Sequence, residues 1–204
     1  MREPLRVLLA GEGANELGSF HAETPYRESG DEFGVIEALV RSFSKIPFVV
    51  RDGITWKRIR KYRSGAHASA ERRTVLGLIL IAKERGFDAV VFVRDSDGDA
   101  QRAVEIDAAI AVSHEVIVGA PRVAGAAAVQ SLEAWLLALA GESRTESMSA
   151  AKLEATLVER GTRYKCTSDY VAIIEARRGA EPPHDALSLR AFQERVRAAL
   201  LDDE

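Results

Sequence analysis

Short apolar runs alternate with longer segments of helical periodicity along this chain of 204 residues. Runs of about four to eight apolar residues, bounded by turn residues, are typical of buried strands. We predict four strands of this kind, at residues 5–10, 48–50, 89–93 and 115–121. Asp52-Gly53 is a turn pair, so the second strand is expected to continue as a hairpin through 54–56.

Helical periodicity fills most of the remaining chain. We predict a loop over 19–30, a helix from about 31 that Pro47 ends, and helices over about 68–85, 100–113, 126–140, 148–160, 167–178 and 186–201. Because strands that alternate with helices need crossover connections, the pattern predicts an α/β fold with a mostly parallel central sheet flanked by helices. A shift to mixed charged helices after Gly141 divides the chain into an α/β domain, 1–140, and a helical C-terminal extension, 141–204, packed on it.

The composition narrows the class of protein. Hydrophobic residues make up 47% of the chain, enough for a core, and the net charge of −3 argues against generic polyanion binding. The single cysteine, Cys166, cannot form an internal disulfide, which fits a reducing compartment. The run at 5–10 is too short for a signal peptide, and the most apolar helical segment contains the charged Glu133. We therefore expect a cytoplasmic protein without a membrane span.

Acidic residues directly follow two of the predicted strands. Asp95, Asp97 and Asp99 come after the run 89–93, and Glu12 follows the first strand between two glycines. Since the carboxyl ends of parallel strands share one edge of a sheet, these side chains are expected to meet there. Clustered carboxylates repel each other, and a divalent cation removes that penalty. The sequence thus predicts a Mg²⁺ or Mn²⁺ site, with a solvated Asp-Gly turn as the alternative.

Two further acids are candidates for the same site. Glu16 lies four residues beyond Glu12, where a solvated loop position is an equally good interpretation. Glu133 is the only formally charged residue between Arg122 and Glu142, and an unpaired buried carboxylate is costly there. Glu133 therefore faces solvent, pairs with an arginine such as Arg122, or points at the metal.

Spacing excludes two competing motifs. An EF-hand loop that starts at Asp95 needs Glu at its twelfth position and finds Ile106. A dinucleotide fingerprint needs glycine where Glu16 stands, and carboxylates repel a pyrophosphate. An Asp-x-Asp-Gly motif after a strand also resembles phosphatases of the haloacid dehalogenase type, although there it usually follows the first strand.

Positive charge is concentrated in one segment. Ten basic residues and two acids fall between Arg41 and Arg73, a local charge of +8, and Trp56 and Tyr62 are interleaved with them. Cations and aromatic rings together suit a phosphate backbone and unstacked bases. A solvated basic face is the alternative. His67 lies beside this segment as a candidate phosphate contact or acid.

These motifs together resemble the Toprim domain, which occurs in topoisomerases, bacterial primases, recombination proteins and overcoming-lysogenization-defect nucleases. The resemblance is carried by Glu12-Gly-x-x-Glu16, Asp95-x-Asp97-Gly-Asp99 and Glu133-Ala-Trp-Leu-Leu. The pattern is most similar to small stand-alone bacterial Toprim-like proteins, some of them encoded beside ATPases in phage-defence systems. The likeness covers roughly residues 5–140, and Asn15 departs from the threonine that is common in those proteins.

The resemblance implies a Toprim-like Rossmannoid fold and a Mg²⁺-dependent nuclease (or one using Mn²⁺) that hydrolyses phosphodiester bonds in DNA or RNA. The implied catalytic residues are Glu12, Asp95 and Asp97. The implied metal ligands are Glu12, Asp95 and Asp97, with Glu16, Asp99 and Glu133 completing or supporting a second site. The residues expected to track the nucleic-acid backbone are Lys57, Arg58, Arg60 and Arg63.

Two other functions stay open. One is a haloacid-dehalogenase-like phosphatase in which Asp95 is the nucleophile. The other is a non-catalytic regulatory or binding subunit of an ATPase-linked phage-defence system. The expected partners are nucleic acid and, in a defence setting, an ATPase encoded alongside; homo-oligomer formation is left open.

Overall fold

The computed structural model describes residues 3–19, 33–63 and 68–201. The elements in these ranges are β1 (Leu5–Gly11), α1 (Ala14–Leu17), α2 (Val35–Phe43), β2 (Phe48–Thr55), α3 (Ala70–Glu84), β3 (Ala89–Asp95), α4 (Ala100–Val116), β4 (Arg122–Ala128), α5 (Leu132–Leu139), α6 (Ala150–Glu159), α7 (Thr167–Glu175) and α8 (Leu187–Ala199). Single 3₁₀ turns lie at Trp56–Arg58 and Thr145–Ser147. All but the first residue of the predicted loop over 19–30 lies outside the described residues, as does His67. In the described ranges, no helix has the length and apolar character needed to cross a membrane.

Four parallel strands form the central sheet, in the order β2-β1-β3-β4, and helices cover both faces. This confirms the predicted α/β fold with a parallel sheet flanked by helices. Within β1, Val7 and Leu9 are buried on one face, and Leu8 and Ala10 on the other. Because both faces are covered, the inner strands are continuous apolar runs. This explains why the bounds predicted for β1 and β3 from the sequence pattern agree closely with those in the structure.

The predicted hairpin at Asp52-Gly53 is wrong. β2 runs through these two residues and stays parallel to β1, with Ile54 opposite Ala10. A register shift in the middle of the β1–β2 pairing accommodates one extra residue of β2. Asp52 is buried, its carboxylate accepts the backbone N–H of Gly53 (2.8 Å), and it forms an ion pair with Arg85. This distant ion pair, which local sequence does not reveal, lets an aspartate remain inside the strand.

The strand predicted over 115–121 is also wrong. α4 continues into this segment, Ile117 is buried, and Val118 is 80% exposed. The backbone N–H of Ala120 donates to the carbonyl of Ile117 (2.9 Å), which closes a turn. The fourth strand of the sheet is instead β4, which starts at Arg122. The helix predicted over 126–140 therefore begins only with α5, at Leu132. β4 is rich in alanine, which favours helices, and its pairing with β3 overrides that preference.

The C-terminal helices complete one of the two helical layers. α3 and α4 cover one face of the sheet, while α2, α5 and the helices of the extension cover the other. Leu153 of α6, Tyr170 of α7 and Phe192 of α8 are buried in the same cluster as Val91 of β3. The ring of Phe192 stacks on Trp135 of α5, with centroids 5.2 Å apart. The extension therefore shares the core of the sheet.

The basic segment after β2 packs tightly on α3. The backbone N–H of Tyr62 donates to the carbonyl of Arg73 (2.8 Å), and Nε of Arg73 donates to the carbonyl of Tyr62 (3.2 Å). A side-chain carbon on Gly77 would lie 1.9 Å from the carbonyl oxygen of Arg60. Glycine at position 77 therefore permits the approach that fixes the backbone of Arg60, whose side chain is exposed.

We expect Gly77→Ala to destabilise the protein, although alanine favours a helix interior by about 1 kcal/mol over glycine. Because the overlap is with the backbone carbonyl of Arg60, the overpacking cost is expected at the upper end of the usual range, about 3 kcal/mol, so the net loss in the free energy of unfolding is about 2 kcal/mol. Chemical denaturation measures this loss. Glu84→Ala, at the exposed end of the same helix, is the matched control and is expected to change stability by less than about 0.5 kcal/mol. Equal stability of the two variants would contradict the steric explanation.

Candidate active site

A cavity of about 530 Å³ lies at the carboxyl edge of the sheet, between the ends of β1 and β3 and the helices of the extension. Four of the acids selected from the sequence line it: Glu12, Glu16, Asp95 and Glu133. Carboxyl edges of parallel sheets are the usual location of ligand sites in open α/β folds. The structure therefore brings together the acids that follow two separate strands and the acid on α5.

Backbone hydrogen bonds fix the acids that come from β1 and α1. Glu12 follows the last residue of β1, and the short helix α1 brings Glu16 back toward it. The backbone N–H of Glu12 donates to Oε2 of Glu16 (2.6 Å). A side-chain carbon on Gly11 would lie 2.5 Å from the same Glu16 oxygen. Glycine at the strand end therefore makes room for the Glu16 carboxylate, which explains its place in the motif.

Asp95 ties β3 to α5. It is the last residue of β3, and its Oδ1 accepts the backbone N–H of Leu132, the first residue of α5 (2.8 Å). Its own backbone N–H donates to Oε1 of Glu12 (3.2 Å). Because the first N–H groups of a helix have no partner within it, a carboxylate is well placed there. Asp95 thus satisfies the helix terminus while its side chain lines the cavity.

The carboxylates in the cavity repel one another. Burial raises the pKa of Asp95 to about 6, and the charge of Glu133 adds to the shift. Burial also raises the pKa of Glu16 well above its usual range, with further contributions from Asp95 and Glu133. Three carboxylates from three elements therefore lie close enough to disfavour each other's charge.

Asp97 and Asp99 lie outside the lining of this cavity. Asp97 has a left-handed backbone (φ 51°), its side chain is 68% exposed, and its Oδ2 pairs with Arg102 at 2.7 Å. Asp99 is the N-cap of α4, where its Oδ1 accepts the backbone N–H of Gln101 (3.0 Å). Their predicted roles in metal binding stay predictions.

Arg94 is a neighbour of the site that sequence reasoning missed. Its Nη1 forms an ion pair with Oε1 of Glu12, and its Nε lies 3.3 Å from Oε1 of Glu71. The guanidinium lies over the ring of Trp56, 5.7 Å from the centroid. Burial lowers the pKa of Arg94, and the nearby charge of Arg102 lowers it further. Strand alternation places Arg94 on the face opposite Asp95, and a charged residue at the end of an apolar run was the available clue.

The predicted nucleic-acid contacts do not line the cavity. Lys57 and Arg58 lie on the 3₁₀ turn that follows β2, at the same edge of the sheet as Glu12. Both are exposed, as are Arg60 and Arg63. They form a basic surface beside Trp56 rather than part of the acidic cavity. The prediction for His67 falls outside the described residues.

The extension supplies further residues that sequence reasoning did not select. Tyr164, Lys165 and Tyr170 line the cavity, together with residues of α6. The backbone N–H of Lys165 donates to Oη of Tyr170 (3.1 Å), and that hydroxyl donates to Oε1 of Glu133 (3.4 Å). Burial raises the pKa of Tyr170 above its usual range, which keeps the phenol a donor. Glu133 therefore pairs with a tyrosine of the extension, while Arg122 donates to the carbonyl of Leu201 (2.6 Å).

A divalent cation fits the donor chemistry of the cavity. Among the described residues, no group of three or more His, Cys, Asp or Glu side chains is arranged to hold a metal ion as it stands. The acids of the cavity nevertheless offer hard oxygen ligands of the kind that Mg²⁺ prefers. The mutual repulsion of Glu16, Asp95 and Glu133 is the unfavourable term that a bound cation would remove.

Comparison with protein-family models, with curated proteins and with solved structures finds no match for this chain.

We expect Asp95→Asn to stabilise the protein more at about pH 8 than at about pH 5, in the presence of a chelator. The pKa of Asp95 is raised to about 6 in the folded state, above the unfolded value of about 3.9. The folded state therefore binds the proton more tightly, and stability falls as the pH rises through this interval. Near pH 5 asparagine replaces a largely protonated acid, whereas near pH 8 it removes a buried charge.

Denaturant unfolding at the two pH values measures the difference in the free energy of unfolding. Glu115→Gln is the matched control, because Glu115 is an exposed acid on α4. Its effect is expected to be small and equal at both pH values. A larger gain for Asp95→Asn near pH 5 than near pH 8 would contradict the assignment of a buried, repelled carboxylate.

Proposed function

We propose that this protein is a metal-dependent nuclease that hydrolyses phosphodiester bonds in DNA or RNA with a Toprim-like arrangement of acids. The observation that carries the proposal is the convergence of Glu16, Asp95 and Glu133, which repel one another, on one cavity at the carboxyl edge of the sheet. Glu12 lies beside them at the end of the neighbouring strand. The Toprim resemblance of the motifs is consistent with this placement.

In this proposal, Asp95, Glu16 and Glu133 hold Mg²⁺ or Mn²⁺, and Asp97 and Asp99 support the site from the adjoining loop. A bound cation supplies charge neutralisation for the phosphate and a lower pKa for an attacking water. Glu12 accepts a proton, and its pairing with Arg94 fixes its orientation.

The exposed basic surface is proposed to hold the nucleic-acid backbone. Lys57, Arg58, Arg60 and Arg63 project into solvent on the segment that follows β2. Cations on such a surface bind phosphates without reading sequence and make affinity fall as salt rises. This arrangement separates the groups that hold the polymer from the acids of the cavity.

A second candidate function is a non-catalytic nucleic-acid-binding subunit of an ATPase-linked defence system. One observation favours it: the Glu12 carboxylate is engaged in an ion pair with Arg94. A carboxylate held in that way is less available for proton transfer. The same basic surface would then bind nucleic acid without cleavage.

Cleavage assays distinguish the two functions. With Mg²⁺ or Mn²⁺, the wild type is expected to cut DNA or RNA, and Asp95→Ala and Glu12→Ala are each expected to lose about 10²-fold or more in kcat. The measurement is product formation on labelled single-stranded and double-stranded substrates. Glu115→Gln is expected to retain full activity. Unchanged activity in both cavity variants would refute the proposed nuclease.

Arg94 is proposed as a positioning residue for Glu12. Arg94→Met keeps a long side chain against Trp56 but removes the ion pair, so kcat is expected to fall by about tenfold with little change in KM. Arg94→Lys keeps a positive charge and is expected to restore part of kcat. Separate determination of kcat and KM tests this role. A rise in KM with unchanged kcat would instead indicate that Arg94 binds substrate.

A further inference from the structure

The C-terminal extension builds the wall of the cavity that faces the acids of the sheet edge. α6 contributes Glu154, and the segment before α7 contributes Tyr164 and Lys165. The cavity volume of about 530 Å³ falls in the range of roughly 300–1,000 Å³ that is usual for small-ligand sites. A space of this size takes one nucleotide unit but not the stacked base pairs of a duplex.

Lys165 brings a cation to this otherwise acidic space. It is the single Lys or Arg among the described residues that line the cavity. Its backbone is left-handed (φ 54°), which costs a residue other than glycine about 1–2 kcal/mol. The hydrogen bond from its N–H to Oη of Tyr170 (3.1 Å) helps to hold that conformation. The backbone of Lys165 is thus held at the cavity, and its side chain, on an exposed residue that lines the cavity, is available to an anionic group of a ligand.

Tyr164 offers an aromatic surface beside this cation. The residue is 45% exposed, and Nζ of Lys165 lies over its ring, 5.0 Å from the centroid. Rings of this kind stack on unpaired bases without regard to sequence. Because the ammonium of Lys165 lies over one face of this ring, a base would stack on the opposite face. A duplex hides the faces of its bases, so this pair matches the base and the phosphate of one unpaired nucleotide.

We propose that the cavity receives an unpaired strand of nucleic acid, with a base stacked on Tyr164 and a phosphate at Lys165. This rests on the proposed function and specifies its substrate class. A phosphate at Lys165 would lie in the same cavity as Asp95 and Glu133. A duplex would first have to unpair, at a cost in free energy, so single strands are preferred.

Binding and cleavage by the full chain test this inference separately. Fluorescence anisotropy with Ca²⁺ in place of Mg²⁺ compares a labelled single strand with a duplex of the same sequence. The wild type is expected to bind the single strand about tenfold more tightly or better. Tyr164→Ala is expected to lose about tenfold of that affinity, whereas Tyr164→Phe, which keeps the ring, retains it.

The charge of Lys165 is tested with Lys165→Asn, because asparagine tolerates a left-handed backbone. This variant is expected to bind the single strand several-fold more weakly, with a shallower dependence on salt. Lys152→Ala is the matched control: Lys152 is an exposed lysine of α6 outside the cavity lining, and its loss is expected to leave affinity unchanged.

Equal binding of single strand and duplex, or full single-strand affinity in Tyr164→Ala, would overturn the assignment of the substrate class. A strand preference that Tyr164→Ala abolishes, without cleavage of any substrate, would refute the nuclease but support this ligand. Cleavage of single strand and duplex at the same rate would support the nuclease but refute the single strand as the preferred ligand.

Discussion

Repulsion between the carboxylates that gather at the carboxyl edge of the sheet is the constraint on which the candidate site depends. Asp95 and Glu16 are held in that position by backbone N–H groups, of Leu132 and Glu12 respectively. Each hydrogen bond links a different pair of elements, β3 with α5 and the end of β1 with α1. The fold thus uses its own helix and strand ends to hold these carboxylates close enough to disfavour each other's charge.

The alternation of side chains along β3 sorts charge between the two faces of the sheet. Asp95 lines the cavity on the side of α5, whereas Arg94 lies over Trp56 on the side of α3 and pairs with Glu71. Glu12 lies between the two faces of the sheet, because its carboxylate contacts both the guanidinium of Arg94 and the backbone N–H of Asp95. One sheet edge therefore presents acids on one side and cations with an aromatic ring on the other.

Sequence patterns predicted the parts of this arrangement that depend on local chemistry. The buried strands β1 and β3 are continuous apolar runs, and the acids that follow them were identified from their position alone. The course of β2 was not predictable, because the ion pair between Asp52 and Arg85 joins residues that are distant in sequence. β4 was missed because its alanines resemble a helix, and only its pairing with β3 makes it a strand.

The cavity residues supplied by the C-terminal extension could not be predicted from the sequence, for a related reason. Nothing near Tyr164 or Lys165 in the sequence indicates the acids that they face across the cavity, since those contacts join parts of the chain that meet only in the fold. The hydrogen bond from the hydroxyl of Tyr170 to Glu133 was equally unpredictable, because the two residues are 37 positions apart in the sequence. Periodicity predicted α7 as a helix but could not show which of its residues would face a site.

The stack of Trp135 on Phe192 has a consequence for when the cavity is completed during synthesis. α5 carries Glu133 into the cavity and Trp135 into the core, where Nε1 of Trp135 donates to Oγ of Ser188 (2.7 Å) at the start of α8. A nascent chain that has emerged only through α5 has the acids but neither the ring of Phe192 nor the hydroxyl of Ser188 to hold this helix. The cavity is therefore complete only after α8 has emerged from the ribosome. Under the proposed nuclease function, the incomplete chain would lack a finished site for cutting nucleic acid while it is still attached to its messenger.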